Sequence, residues 1–347
     1  VSVELKRDRV VFRYKGSKYE WTIEPRYWRN PLIGVFMLLA LMLLTYYTNW
    51  SFLATITTAN LYAAMAIPLA WMTIGTGRIN FGPQFFVGVG GYTAALLSVH
   101  YGLNPVWTLL IAAFVSLAFG FLESPLSIVA GGLYYTLLTM LIPLAFLQLT
   151  FIYTGIFKGD VGLYGVAPLV NLGVVRLNYL TSCFLSMIMM LVFLFLVDRI
   201  LRSRYGLIMA SVNDDEDAAR AIGVNVNKIK IISCAIPACL LGIAGWFFAH
   251  YHRTFAGRTY LPLDFLIKIL LIFMIGGRAQ IYGVVIGAYF IGFLENFLLR
   301  TVGPIHSTIF PIILLVCLLA LPEGLWGIYR KRRYREYLPT MRVRRER

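Results

Sequence analysis

Asn213-Asp-Asp-Glu-Asp-Ala-Ala-Arg-Ala-Ile-Gly223 is a polar stretch set between two apolar runs, with basic residues on both sides. It carries four consecutive acids, Asp214 to Asp217, in a chain of 347 residues that has only 16 Asp and Glu. Such a segment has no place in hydrocarbon, so it lies in water at one end of whatever the apolar runs build. Asn213 or an Asp beside it can cap a helix whose dipole the acids complement, and Ala218, Ala219, Ala221 and Ile222 give that helix a small-residue face. Gly223 is placed to end it in the left-handed conformation. A short helix showing acids and alanines suits the groove of a partner; equally it is a solvated face.

Outward from this stretch the chain is apolar. Hydrophobic residues make up 59%, charged residues 14%, and mean hydropathy is +0.74. Soluble domains carry about 25% charged residues, so the composition is that of an integral membrane protein. The apolar runs are mostly 17–23 residues long, enough to cross hydrocarbon as helices, and none shows the short alternating pattern of a membrane barrel. Ten spans are predicted, near 31–48, 52–74, 81–99, 105–122, 133–152, 179–198, 230–250, 264–276, 284–301 and 305–321. The fold class is therefore an all-α bundle of about ten transmembrane helices. The third run holds Gly82, Gly88, Gly90 and Gly91, which fits close helix contact or a broken helix beside a cavity.

The net charge of +15 is read through the positive-inside rule rather than as a nucleic-acid signal. With the N-terminus inside, 25 of the 31 Lys and Arg fall on the inner side and five on the outer, Lys268 lying within a span. Both termini and the acidic stretch are thus expected in the cytoplasm. The domain plan is a basic segment at 1–30, a transmembrane unit at 31–327 with a loop at 201–230, and a basic tail at 328–347. Within the first segment Val10–Tyr14 and Tyr19–Ile23 alternate around a glycine, which reads either as a hairpin or as a basic arm against anionic headgroups. No signal peptide is evident.

Chemistry-bearing clusters are few. The four cysteines fall in apolar spans as small hydrophobes, and His250 and His252 read as interfacial, so no metal site and no cofactor are expected. No Ser-His-Asp or Cys-His set has support within a span, which argues against an intramembrane hydrolase. No G-x-x-x-x-G-K-[ST] phosphate loop exists, so any ATP chemistry belongs to another chain.

Five segments, in order, carry a resemblance. Asp215-Glu-Asp-Ala-Ala-Arg-Ala-Ile-Gly-Val-Asn225 resembles the "EAA…G" coupling loop of ABC importer permeases, in particular the branched-chain amino acid permeases of the LivM type. Gly75-Thr-Gly77 with Phe81-Gly82 and Phe85-Phe-Val-Gly-Val-Gly-Gly-Tyr-Thr-Ala-Ala-Leu96 resembles their glycine-rich third span. Gly132-Leu-Tyr-Tyr-Thr-Leu-Leu-Thr139, Met274-Ile-Gly-Gly-Arg-Ala-Gln-Ile-Tyr-Gly283 with the run to Ala288, and Leu321-Pro-Glu-Gly-Leu-Trp-Gly327 resemble three further signatures. The resemblance covers roughly residues 52–328.

It implies a type II-like importer permease in a bacterial or archaeal plasma membrane. Two separate ABC ATPase subunits, a second homologous permease and an extracytoplasmic solute-binding protein would be its partners. Asp215, Glu216, Asp217, Ala218, Ala219 and Gly223 would couple to the ATPase. Gln84, Gly88, Gly90, Tyr92, Lys268 and Glu295 are the candidates for the translocation path. The implied substrates are branched-chain or other small amino acids, with urea and amides as related cargo. The rival class is a stand-alone channel or ion-coupled carrier.

Three departures from the family pattern bear on substrate rather than architecture. Lys268 stands where an acid is common, Pro83-Gln84 where His-Ala is usual, and Arg278 where an apolar residue is usual. Lys268 and Glu295 lie at similar depth from one boundary, roughly 8–10 Å at 1.5 Å per residue. They either pair or line a vestibule together; otherwise Lys268 snorkels and Glu295 faces a sibling subunit. Gln84 either bonds a substrate or satisfies backbone groups. The segment Lys158–Gly165 is either a binding-protein contact or an ordinary loop.

Overall fold

The computed structural model describes the backbone of residues 2–6, 9–14 and 17–22, and residues 52–277, 281–302 and 313. The first and tenth predicted spans, the motif at 321–327, the whole basic tail, Arg278 and Cys317 lie outside the described residues.

The N-terminal unit is a three-stranded antiparallel sheet: β1 (Ser2–Lys6), β2 (Arg9–Tyr14) and β3 (Ser17–Thr22), in that order. β2 and β3 form the hairpin, pairing Val10 with Trp21 and Phe12 with Tyr19. β1, which the alternation around the glycine did not include, pairs Val3 with Phe12.

The second unit is helical. Its long helices are α1 (Phe52–Thr76), α2 (Pro83–Tyr101), α3 (Pro105–Val129), α4 (Gly132–Ile152), α6 (Val175–Leu201), α9 (Val226–His252), α11 (Leu263–Gly276) and α12 (Ile281–Val302). Each coincides with one of the eight predicted spans that fall on described residues. Seven segments are long and apolar enough to cross a membrane, α11 together with the short α10 (Gly257–Tyr260) making one of them. The remaining helix, α2, is 19 residues long and almost wholly enclosed. The chain is thus a polytopic helical membrane protein.

Burial follows each helix's place. α1 and α9 are mostly buried, whereas α3 and α4 expose large apolar side chains such as Phe114, Leu122 and Leu133, as helices facing lipid do. α9 packs most extensively on α3 and α2. Small residues permit this: a Cβ built on Gly90 of α2 would lie 2.5 Å from the Cα of Gly242 in α9. One on Gly245 would lie 2.9 Å from the amide nitrogen of Gly91. The glycines of the third span therefore serve close helix contact, and α2 is continuous rather than broken.

Four prolines sit inside helices, at Pro68, Pro125, Pro143 and Pro237. Each removes an N–H that the carbonyl four residues back would have used. At Pro125 the sequence supplies a substitute, since Ser124 Oγ donates to the freed carbonyl of Phe121 at 2.8 Å.

One end of the bundle carries α5 (Thr154–Phe157), α10 and a two-stranded pairing of β4 (Leu163–Tyr164) with β5 (Thr254–Phe255), which no sequence pattern announced. The segment 158–165 is therefore built into the fold, and Asp160 and Arg258 tie it to α10 through both carboxylate oxygens. The opposite end carries two polar helices, α7 (Arg204–Asp214) and α8 (Glu216–Ala221).

Candidate functional site: a braced polar helix at one end of the bundle

The polar stretch at 213–223 is built from capping chemistry. Ser203 starts α7, its Oγ accepting from the Tyr205 N–H. Asp215 is extended (φ −157°, ψ 110°), which ends α7, and its side chain accepts from the N–H groups of Asp217 and Ala218 to start α8. At the other end Gly223 has φ +87°. Its N–H donates to the Arg220 carbonyl while Val224 N–H donates to that of Ala219, a Schellman closure. The cap is Asp215, an Asp near Asn213 rather than Asn213 itself, and the loop predicted around one helix holds two.

The acids do not share a face. Asp214, Asp215 and Asp217 are exposed, as are Ala218 and Gly223, while Ala219 is buried. Glu216 turns inward. Its carboxylate receives the guanidinium of Arg78 at 2.8 Å and the ammonium of Lys230 at 2.7 Å, Lys230 being fully buried. Arg220, one turn on, lies 3.9 Å away. Arg78 comes from the connection between α1 and α2, and Lys230 from the first turn of α9. Arg78 also donates to the carbonyls of Ser127 and Ala130 at the C-terminus of α3, where the backbone has no helical partners. One carboxylate thus braces α8 against three parts of the bundle. Neither Arg78 nor Lys230 was singled out from sequence; for Lys230 the signal was its place 14 residues from Glu216, and for Arg78, 138 residues away, only its being a charge between two spans of a chain poor in charges.

The candidate path residues are not brought together into one cluster. Gly88 and Gly90 sit in helix contacts, against Leu261 and Gly242 respectively. Tyr92 is buried among Phe146, Phe157 and Phe255, with its hydroxyl accepting from the Gly257 N–H at 2.6 Å. Gln84, at the second position of α2, is fully buried, and neither its amide nitrogen nor its oxygen has a hydrogen-bond partner among the described residues. Lys268 and Glu295 form an ion pair between α11 and α12, with the ammonium 6.0 Å from the centre of the Tyr62 ring on α1.

Two buried polar groups were missed. Asn60 on α1 is wholly enclosed; it accepts from Tyr289 on α12 and donates to Ser186 on α6 at 3.0 Å. Asn80 donates to Glu123 at 2.7 Å and to Tyr135 at 3.0 Å, joining α3 and α4. A lone amide in an apolar run was the available sign for Asn60. His250 is also internal rather than interfacial: its ring bonds Thr108 and the Ala167 carbonyl, each at 2.7 Å. Among the described residues no group of His, Cys, Asp and Glu is arranged to hold a metal.

The described residues thus form a helical membrane bundle with a braced polar helix at one end. Residues 51–319 match the family described as branched-chain amino acid transport system / permease component, and the chain belongs to that family. It is 24% identical over 287 residues to a probable branched-chain amino acid transport permease protein LivH of Methanocaldococcus jannaschii, covering 78% of this chain and 90% of that one. It is 25% identical over 244 residues to the high-affinity branched-chain amino acid transport system permease protein LivM of Salmonella typhimurium, covering 61% and 55%. Over a shorter stretch of 99 residues it is 36% identical to the ribose import permease protein RbsC of Escherichia coli, covering 27% and 30%. No solved structure matches.

Proposed function

We propose that this chain is the membrane-spanning permease subunit of an ATP-driven importer for branched-chain or other small amino acids. Two ATPase subunits bind from the cytoplasm, a second, homologous permease completes the pore, and an extracytoplasmic binding protein delivers the cargo. Urea and short amides are the secondary substrate class. The similarity to amino acid permeases extends over most of the chain and that to a ribose permease over about a quarter, which favours amino acids.

The observation that carries the reading is the form of α7 and α8. A polar helix projects one exposed face, with Asp217, Ala218 and an Ile222 that is 76% exposed, while its other face is fixed to the bundle by Glu216 and Ala219. We read this face, where Ile222 stands in water beside the acids as Leu207 does on α7, as a partner surface, and the tie of Glu216 to Arg78 and Lys230 as what makes α8 a lever rather than a tether. In this reading Asp215 and Gly223 set the ends of the lever, Asp217 and Ala218 meet the ATPase, and Glu216 and Ala219 face the permease. The path candidates divide likewise. Gln84, Lys268 and Glu295 bring polar groups into the membrane interior, and Gly88, Gly90 and Tyr92 shape the helix contacts around them.

The test is co-purification from cells expressing the permease with the ATPases, partner permease and binding protein of its own gene cluster. Ile222→Arg with Asp217→Lys is expected to abolish ATPase association and leucine uptake while the permease remains folded. ATPase retained on that double variant would refute the lever. ATP-dependent uptake of ribose with none of radiolabelled leucine, valine or isoleucine would refute the substrate class.

A further inference from the structure

The connection between α1 and α2, residues 77–82, is held at nearly every position. On the α7–α8 side, Gly77 (φ +69°) lies so close to Asn213 that a Cβ there would sit 2.8 Å from the Asn213 Oδ1. The next residue, Arg78, meets Glu216 at 2.8 Å. On the bundle side, Thr136 Oγ1 donates to the Ile79 carbonyl at 3.1 Å, and the Phe81 N–H donates to Thr139 Oγ1 at 3.0 Å. Asn80 bonds Glu123 and Tyr135, and its Oδ1 accepts from the Gly82 N–H at 2.6 Å. The connection then runs directly into α2 through Pro83.

We infer that residues 77–82 are the drive link of this permease. Displacement of α8 passes through Glu216 to Arg78, and through Asn213 to Gly77, and so to the N-terminus of α2. Arg78 is the positioning residue of that link. The inference rests on the reading of α8 as the ATPase-binding lever. Three features single out this route. The charged pairs are partly or wholly withdrawn from water, with side-chain exposures of 17% for Arg78, 26% for Glu216 and 0% for Lys230, so they resist parting more than surface pairs do. The Arg78 guanidinium has enough fixed donors to hold Glu216 and two carbonyls of α3 at once, whereas an ammonium is a single point charge. The helix it leads to is nearly enclosed, so any shift of α2 must repack α9 and α3 rather than slide over lipid. Gln84, whose amide has no hydrogen-bond partner among the described residues, stands two residues beyond the link.

The experiment uses the whole transporter in proteoliposomes carrying Tyr101→Cys as the reporter, Tyr101 being the last residue of α2 and 75% exposed. Labelling by a membrane-impermeant maleimide is compared with and without ATP, over the background of the chain lacking the reporter. Arg78→Ala is expected to keep the ATPase attached and hydrolysing while the ATP-dependent change in labelling disappears. Leucine uptake per ATP hydrolysed is expected to fall about tenfold or more, the range of a coupling energy between sites. Arg78→Lys, which keeps the charge facing Glu216 but gives up the simultaneous grip on α3, is expected to fall between. It also serves as the variant of record if Arg78→Ala does not fold. Full labelling change and full uptake in a folded Arg78 variant would overturn the drive link and leave the lever standing. Loss of the lever itself is read separately, from ATPase retained on the Ile222 and Asp217 variant, and would take the drive link with it.

Discussion

Gly90→Ala tests whether the glycines of α2 serve packing or a path. The added methyl carbon would lie 2.5 Å from the Cα of Gly242 and 2.6 Å from its carbonyl carbon, all backbone of the facing helix. Carbon atoms settle at about 3.5–4.0 Å, so α2 and α9 must part by about 1 Å. No rotamer relieves a clash with backbone, which places the cost at the upper end of the roughly 1–3 kcal/mol typical of overpacking. Two other glycines separate the contributions. Gly102 has φ +61° and open space around the built Cβ, so Gly102→Ala carries only the backbone penalty of about 1 kcal/mol. Gly131 has φ −93° and open space, so Gly131→Ala is expected to be neutral. The assay is the temperature at which each detergent-solubilised variant loses its monodisperse peak. The expected order of stability is wild type and Gly131→Ala together, then Gly102→Ala, then Gly90→Ala. If Gly90→Ala melted with Gly131→Ala yet failed to transport, the packing argument would be wrong and Gly90 would belong to the path.

The Lys268–Glu295 pair gives a second prediction. Lys268→Met alone leaves a carboxylate unpaired within the bilayer and is expected to lower the yield of folded protein by more than Lys268→Met with Glu295→Gln, a rescue read by fluorescence-detected chromatography. If the double variant folds but loses uptake, the pair also serves the path; if single and double variants are equal in yield, the pairing has no energetic weight. At the lever, Asp215→Ala removes the acceptor for two N–H groups, a loss of about 1 kcal/mol, so exchange at the amides of Asp217 and Ala218 should quicken about fivefold. Gly223→Ala strains a residue at φ +87° by a similar amount and should release the same segment from its other end, seen as faster proteolysis after Arg220.

The spans were legible because a helix in hydrocarbon leaves only one pattern open, a run of about 20 apolar residues. All eight predicted spans on described residues are helices, and their ends moved by at most seven residues, the largest change being α3, which runs on through Pro125 to Val129. The continuation was illegible because proline and serine read as breakers in water, whereas here Ser124 repairs the carbonyl that Pro125 frees. β4 and β5 were missed for a different reason: each is two residues long and fixed by a partner distant in sequence, as Leu163 is by Phe255, whereas β1 pairs with its sequence neighbour β2 and α7 is capped locally by Ser203. Glycine spacing did announce close contact in α2, but it named no partner, and the matching Gly242 and Gly245 lie 152 and 155 residues on from Gly90.

The acidic stretch shows where composition misleads. Four adjacent acids suggest one charged face, but an α-helix turns 100° per residue and this one is interrupted, so the four face four situations. Asp214 closes α7, Asp215 leaves the helix to cap α8, Glu216 turns to Arg78 and Lys230, and Asp217 faces water. The inward turn follows from the cap: once Asp215 fixes where α8 begins, Glu216 and Ala219, three residues apart, must share a side, and Ala219 is buried. A carboxylate carried to that side needs cations, and Lys230, 14 residues on in sequence, and Arg78, 138 residues back, supply them. Neutralising the four acids as a block would therefore mix a lost cap, a broken internal brace and a changed surface. Taken singly, Glu216→Gln should disturb the permease's own interior while Asp217→Asn disturbs only what binds to it.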